Sequence, residues 1–397
     1  MATKKSILIF GMGQLQQSLI ERCKLKGLYT VGIDPNLNAD CKNLVDAFEV
    51  VAGNDFDTTL AVAKKYDVSG VITAATDKPL VMMARIAKEL SLPFFSEKTA
   101  IISTDKLLMK QQFIETGIPC ANGFVINDIS KLTEFDVSFP VIVKPRDNSG
   151  SRGVIYCINM KSLNKAVTEA LQFTQKGNVL VEEFIEGKEF SVEGIHHNGQ
   201  HHVIQITEKT TTDFPYNVEL CHVQPADLTE IQQSQVKALI HEVAQALKFD
   251  NCASHTEIKI NSKGIFVIET SPRLGGDFIS STLVPLSTGI NMEDIVIDIS
   301  TNNLIKTKYF LPTSNRCSGI IYFELPEGEI ESLSVFNFLN DITEIHKWKF
   351  HLKVGDKINK ITSSLNRYGY VILSATDKKI LNNRLNTIKK SLNESFR

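Results

Sequence analysis

The sequence predicts an α/β unit followed by an α+β region, with a smaller strand-containing segment at the end. Three observations carry this. Short β-branched runs alternate with amphipathic stretches over the first hundred residues. From about residue 139 strand-like runs follow one another across glycine-bearing turns. Near the C-terminus Leu381, Leu385, Ile388, Leu392 and Phe396 fall three or four apart, the apolar stripe of a packed helix.

The N-terminal elements read in order as strands at residues 6–10, 30–33 and 70–73 and helices at 15–26, 57–65 and 80–90. Strands separated by helices of this length imply a parallel sheet with right-handed crossovers. Functional groups in such sheets gather at the carboxyl ends of the strands, so residues 11–16, Asp34, Thr76 and Asp77 are expected on one rim. The first strand ends in Gly11-x-Gly13 and the second in Asp34, which suggests a dinucleotide fingerprint. The third glycine is absent, however: Gln16 stands where close helix–strand packing calls for a small residue.

From Lys106 the texture changes. Residues 106–116 predict a helix, closed by Gly117 with Pro119 beyond it. Strands are expected at 141–144 paired with 154–158, and at 179–183 paired with 189–195. A helix at 230–247 precedes a hairpin spanning 255–270, and further strands are expected at 318–324 and 370–373.

Composition narrows the function. The 397 residues are 43% hydrophobic and 22% charged, ordinary for a globular protein of two or three domains. A formal net charge of -2 argues against sequence-independent nucleic-acid binding. Seven scattered cysteines without a CxxC pair suit reduced thiols rather than disulfides or zinc. The first residues run directly into a strand and no apolar run reaches membrane-spanning length, so a cytoplasmic protein without membrane contact is expected.

Three stretches carry chemistry. In "SHTEIKINSKGIFVIETSPRLGGDF", residues 254–278, a three-residue turn at Ser262-Lys263-Gly264 would set Asn261 opposite Ile265 and Glu257 opposite Glu269. Ile258, Ile260, Phe266 and Ile268 would then share one apolar face, with both glutamates on the other. Facing carboxylates repel unless a cation lies between them, and their hard oxygens suit Mg²⁺. The plainer alternative is an exposed pair, or a pairing with Lys259. Arg273, with Gly275-Gly276 beyond it, would place a permanent cation beside a metal-bridged phosphate.

In "FPVIVKPRDNSGSRGV", residues 139–154, a strand ends at Lys144 and a loop of small residues follows. Gly150 and Gly153 free backbone N–H groups to curl around an anion, although a plain hairpin turn would look the same. In "VLVEEFIEGKEFSV", residues 179–192, a strand through Glu182-Glu183-Phe184-Ile185 turns at Gly187 toward Glu189. Such a segment can offer backbone groups to an adenine edge; an acidic hairpin is the alternative.

Together with "TAATD" and "TDKLLMKQQFIETGIP" upstream and "NRYGYVILSATD" downstream, these stretches resemble the ATP-grasp superfamily over nearly the whole chain. The resemblance is strongest to its L-amino-acid ligase and biotin-carboxylase-like branch. It implies a Rossmann-like pre-ATP-grasp domain (1–104), an ATP-grasp domain of two α+β subdomains (105–300) and a small β-rich C-terminal domain (301–397).

It further implies ATP as cofactor, with Lys106 and Lys144 on its phosphates and Ser149, Gly150, Ser151 and Gly153 closing over them. Glu182, Glu183, Phe184 and Ile185 would meet adenine, and Glu189 the ribose. Glu257, Glu269 and Ser271 would hold two Mg²⁺ ions, for which Mn²⁺ can substitute. Where the family usually has E-x-N, this chain has Glu269-Thr270-Ser271, a shorter oxygen ligand. Arg273 would stabilise an acyl phosphate. Thr76, Asp77, His222, His255, Gly275, Gly276 and Asp277 would surround the substrate, with Asp277 set either to pair with an ammonium or to cap the following helix.

The implied activity is a carboxylate–amine ligase joining small-molecule substrates, one of them an amino acid, in a monomer or homodimer. A carboxylase or a phosphoribosyl-using purine-pathway enzyme shares the same three domains. An NAD-dependent oxidoreductase would rest on the first 34 residues alone, and a non-catalytic ATP-binding regulator on Ser271 alone.

Overall fold

A computed structural model describes residues 4–395; Phe396 of the predicted apolar stripe lies outside them. The N-terminal unit is a parallel sheet in the order β3-β2-β1-β4, built from β1 (Ser6–Phe10), β2 (Tyr29–Asp34), β3 (Ala47–Val50) and β4 (Val68–Ile72). Helices α1 (Gln17–Leu25) and α2 (Phe56–Lys65) supply the crossovers, and α3 (Leu80–Glu89) and α4 (Glu97–Ser103) follow the last strand and lead out of the unit. Strand β3 and helix α4 lack a strong period and escape sequence reading.

Helix α5 (Lys106–Thr116) begins and ends where its sequence dictates. Asp105 accepts from the amides of Leu107 and Leu108, and Gly117 closes the helix at φ +74°. Beyond it lies an antiparallel sheet in the order β5-β8-β6-β7, from β5 (Gly123–Ile126), β6 (Val141–Pro145), β7 (Ile155–Cys157) and β8 (Val179–Glu183), backed by α6 (Met160–Ala170). Its small core, with Val143, Leu163, Val167 and Val179 fully buried, is separate from the two larger ones.

The largest sheet has eight strands in the order β13-β12-β9-β10-β11-β14-β18-β16. They are β9 (Lys188–His197), β10 (Gln200–Thr211), β11 (Glu219–Gln224), β12 (Cys252–Asn261), β13 (Gly264–Ser271), β14 (Cys317–Tyr322), β16 (Ile345–Phe350) and β18 (Gly369–Ala375). A two-stranded ribbon joins β15 (Gly328–Glu329) to β17 (Lys357–Ile358). Helix α7 (Glu230–Leu247) packs on this sheet, and α8 (Val284–Thr288) and α9 (Met292–Ser300) follow the hairpin. The closing helix α10 (Lys378–Ser395) buries Leu381, Leu385, Ile388 and Leu392 against β14 and β18.

Two expectations are corrected. Strand β8 does not pair with β9: β8 lies between β5 and β6, whereas β9 lies between β10 and β12. Residues 184–187 therefore cross from one sheet to the other instead of forming a hairpin turn. The turn after β12 is also one residue shorter than expected, since Asn261 pairs with Gly264. A bulge between Glu257 and Ile258 takes up the difference, and Glu257 still faces Glu269. The core-facing pairs are Ile258 with Val267 and Ile260 with Ile265, rather than the face through Phe266 and Ile268.

Strand β14 pairs with β11, β18 with β14 and β16 with β18, so residues 317–375 extend the central sheet. That continuity brings the loop before β18 to the cleft. Among the described residues no helix is long and apolar enough to cross a membrane.

Candidate active site

The crossing between the two sheets leaves a cleft of about 920 Å³ of empty space including its mouth. It is lined by Lys106, Lys144, Ser149, Gly150, Ser151, Glu182, Glu183, Phe184, Ile185, Glu189, Glu257 and Glu269, so most of the predicted nucleotide residues meet here. Gly153 does not line it. A Cβ there would fall 2.8 Å from the Phe173 ring and 2.9 Å from Pro145, so Gly153 (φ +72°) lets the flap's base pack inward. Gly150 at φ +69° and Ser151 at φ +57° curl the flap tip.

Lys144 is buried near the end of β6, its Nζ 2.6 Å from Glu182, while Lys110 holds the other Glu182 oxygen at 3.1 Å. Burial pushes the Lys144 pKa down; burial would raise that of Glu182, but the two lysines hold it below the usual range. The Glu182 carboxylate is thus already spent, and its backbone lies in β8 between β5 and β6. Glu183 turns to Asn122, accepting from its amide N at 2.7 Å. Phe184 meets Tyr156 and Phe214 edge-on, with Lys259 Nζ 4.4 Å above its ring.

At the far end of the cleft stand the paired carboxylates. Lys106 donates to Glu269 at 2.5 Å. Lys209, its side chain 2% exposed, reaches Glu257 at 2.9 Å, Glu189 at 3.0 Å and Glu219 at 3.3 Å. Burial opposes its charge, but the three carboxylates keep Lys209 protonated well above the ordinary lysine range. His255 donates through Nδ1 to the fully buried Glu193 at 2.5 Å, with Nε2 3.6 Å from Glu257. Burial disfavours the imidazolium, yet Glu193 raises its pKa to about 9, so His255 is a cation at neutral pH.

These donors fit Mg²⁺. Glu257 and Glu269 offer hard oxygens side by side, and each already attracts an ammonium group, that of Lys209 or Lys106. Among the described residues no three His, Cys, Asp or Glu side chains form a metal cage. Ser271 is engaged elsewhere: its hydroxyl donates to Asp77 at 2.5 Å. Asp77 also accepts from Arg273 at 2.8 Å, tying the rim of the first sheet to the end of β13.

A second cavity, of about 2060 Å³ including its mouth, opens beyond this point. Thr76, His222, His255, Ser271, Arg273, Gly276 and Asp277 line it, and it shares Ser149, Gly150, Glu257 and Glu269 with the first. Asp77 and Gly275 stand behind its wall. A Cβ on Gly275 would lie 2.6 Å from Glu193 Oε2, so the glycine makes room for the Glu193–His255 pair. Asp277 neither caps a helix nor stands free: Arg367 donates to both its oxygens at 2.7 and 2.6 Å, and His222 Nε2 lies 3.2 Å away.

Sequence reading missed Lys209, Glu193, Glu219, Arg367 and Tyr322. The available signal was a charged residue interrupting an otherwise apolar strand, as Glu193 does in "FSVEGI".

The glycine turn of the first unit has a structural role. Asp34 Oδ2 accepts from the Met12 amide at 2.8 Å, Gly11 N donates to Ile33 O, and Gln16 Nε2 donates to Ala74 O at 2.7 Å. The acid that would hold a ribose is consumed by its own turn. Gln14 and Leu15 reach the second cavity instead.

A two-sheet cleft with a glycine-rich loop, buried lysines and an opposed glutamate pair is the arrangement that the ATP-grasp resemblance implies. Residues 137–281 match the model of the ATP-grasp domain family. Residues 321–393 match that of L-amino acid ligase C-terminal domain 2, and the chain thus carries both an ATP-grasp domain and an L-amino acid ligase C-terminal domain.

The crystal structure of L-amino acid ligase from Bacillus licheniformis superposes with a TM-score of 0.85 at 20% identity, over 98% of each chain. The D-alanine–D-alanine ligase of Neisseria meningitidis is 29% identical over 53% of this chain and 71% of its own length. The 2-oxoglutarate carboxylase small subunit of Hydrogenobacter thermophilus is 22% identical over 76% of this chain and 68% of its own length.

Proposed function

We propose that this chain is an ATP-dependent carboxylate–amine ligase acting on an amino acid. One observation carries the reading: the nucleotide cleft and the second cavity meet at Glu257 and Glu269, under the Ser149–Gly150 flap tip common to both. A γ-phosphate at that junction faces an acceptor in the larger cavity.

In the reaction a substrate carboxylate oxygen attacks the γ-phosphorus, the bond to the β-phosphate oxygen breaks, and ADP leaves. The amine of the second substrate then attacks the acyl carbon, and phosphate departs with the carboxylate oxygen. Lys106 and Lys144 lie along the cleft to balance phosphate charge. The imidazolium of His255 and the guanidinium of Arg273 face the second cavity, where a carboxylate and the oxyanion formed from it need cations. Asp77 fixes the angle of Arg273. The flap, hydrogen-bonded from Ser364 N to Gly150 O, excludes the water that would hydrolyse an acyl phosphate.

Mg²⁺, held by Glu257 and Glu269, would neutralise charge on the phosphate oxygens. A pair of ions, with Mn²⁺ as substitute, is the finer form of this reading; Ser271 would contribute only by releasing Asp77.

A phosphoribosyl substrate is disfavoured because Arg367 directs its donors to Asp277, Ser364 O and Glu219 O. The nicotinamide reading fails at Asp34, whose carboxylate closes its own turn.

The test is ADP release from Mg²⁺-ATP across amino-acid pairs, with hydroxylamine to trap the acyl phosphate as a hydroxamate. Glu269→Gln should lower turnover at least about a hundredfold in protein that still folds and binds ATP. Undiminished turnover would remove Glu269 from the site.

A further inference from the structure

Asp277 and Phe278 are consecutive non-glycine residues in the left-handed region, at φ +52° and +60°. Side chains rarely adopt that conformation, and neighbouring strained residues persist only where the surroundings over-determine them. A π-helical turn, Ile279–Leu283, follows at once. Such turns cluster at functional sites. Together they aim both side chains into the second cavity.

In this wall the Asp277 charge is balanced within the protein, and Lys347 Nζ lies 5.7 Å from the Phe278 ring centroid. Arg367 neutralises Asp277 through two hydrogen bonds and lies 3.6 Å above the Tyr322 ring. Phe278 packs on Tyr370, ring centroids 4.6 Å apart. Leu15 and Leu365, 38% and 75% exposed, also line the cavity as an apolar lip, with Lys78 out in solvent. An acidic side chain entering here finds the guanidinium already taken, and a basic one finds the carboxylate taken. An aromatic or branched apolar side chain finds rings and leucines.

We infer that Phe278, with Tyr370, Leu15 and Leu365, selects a large uncharged side chain, aromatic or branched, on the amino-acid substrate. This rests on the ligase reading above. Apolar burial in such a pocket distinguishes a large from a small side chain by roughly tenfold or more.

The experiment is a kcat/KM series for ADP release with Mg²⁺-ATP and one fixed partner amino acid, varying the other among Phe, Leu, Ala, Glu and Lys. Phe or Leu should exceed Ala, Glu and Lys by about tenfold. Phe278→Ala should cut the Phe:Ala ratio at least about fivefold, a margin inside that tenfold range. Leu365→Ser, altering an exposed lip that the fold does not need, should lower it in the same direction. Preference for a charged or small side chain would overturn the inference while leaving the ligase intact. So would an unchanged ratio in a folded Phe278→Ala or Leu365→Ser. No ADP release with any pair, in protein that still binds ATP, would instead strike the ligase reading and this inference with it.

Discussion

Lys209→Met isolates the electrostatic hub of the site. One ammonium group serves Glu189, Glu219 and Glu257 at 3.0, 3.3 and 2.9 Å. At such distances each attraction is roughly 5 kcal/mol in an effective dielectric of 20, most of it offset by desolvation of the ions. Removing one partner of a buried pair costs about 3–5 kcal/mol, because the remaining charge is left uncompensated. The deficit should depend on pH. In the native chain burial raises the Glu257 pKa, but Lys209 and His255 outweigh it and hold the carboxyl well below its ordinary 4.5.

A lowered folded pKa gives stability that is present above pH 4.5 and lost as pH falls through the folded value. Without Lys209 the burial effect gains weight and that contribution shrinks or reverses. The variant should therefore be weakest near pH 8, and its deficit should narrow towards pH 4.5. Urea unfolding in EDTA, followed by the single tryptophan, Trp348 in β16 of the same sheet, measures both. A deficit below about 1 kcal/mol at pH 8, or one independent of pH, would refute the hub.

Two further perturbations test the surroundings. Glu293 accepts from Ser18 at 2.5 Å and burial raises its pKa to about 7, so its folded form favours the proton and stability falls as pH rises from 4.5 to 7. Glu293→Gln should stabilise the chain at pH 8 by about 2–3 kcal/mol and leave it nearly unchanged at pH 4.5; equal denaturation midpoints at pH 8 would contradict this. Gly275→Ala places a methyl group 2.6 Å from Glu193 Oε2 and 2.8 Å from His255 Nδ1. It should cost about 1–3 kcal/mol and lower turnover through the displaced imidazolium, and a native melting temperature with native turnover would show that the pocket yields freely.

Local signals were legible where the chemistry is local. Gly117 closes α5 as the sequence reads, and α7 spans the expected 230–247, because helix ends and apolar periods are set within a turn or two of the residues concerned. Long-range partners were not. Lys209 meets Glu257 48 residues on, His255 meets Glu193 62 residues back, and Arg367 meets Asp277 90 residues back. Each of these charges reads locally as the polar half of an alternating strand or as a loop. The β8–β9 error has the same origin. Two β-branched runs around Gly187 mimic a hairpin, while β9 finds better partners in β10 and β12.

The β12–β13 hairpin shows how the same pairing of two glutamates can rest on an incorrect register. A three-residue loop without a bulge and a two-residue loop with one both set Glu257 against Glu269. The glutamate pair alone cannot distinguish them; the apolar residues between do. With the bulge, Val267 enters the core beside Ile258, and Ile268 is released to line the nucleotide cleft. The same bulge locally twists β13. Beyond Glu269 the register is the same either way, and Ser271 and Arg273 reach Asp77 on the carboxyl rim of the first sheet. The extra residue acts only between the glutamates and the turn, and pattern reading, which sees only alternation, has no means of placing it.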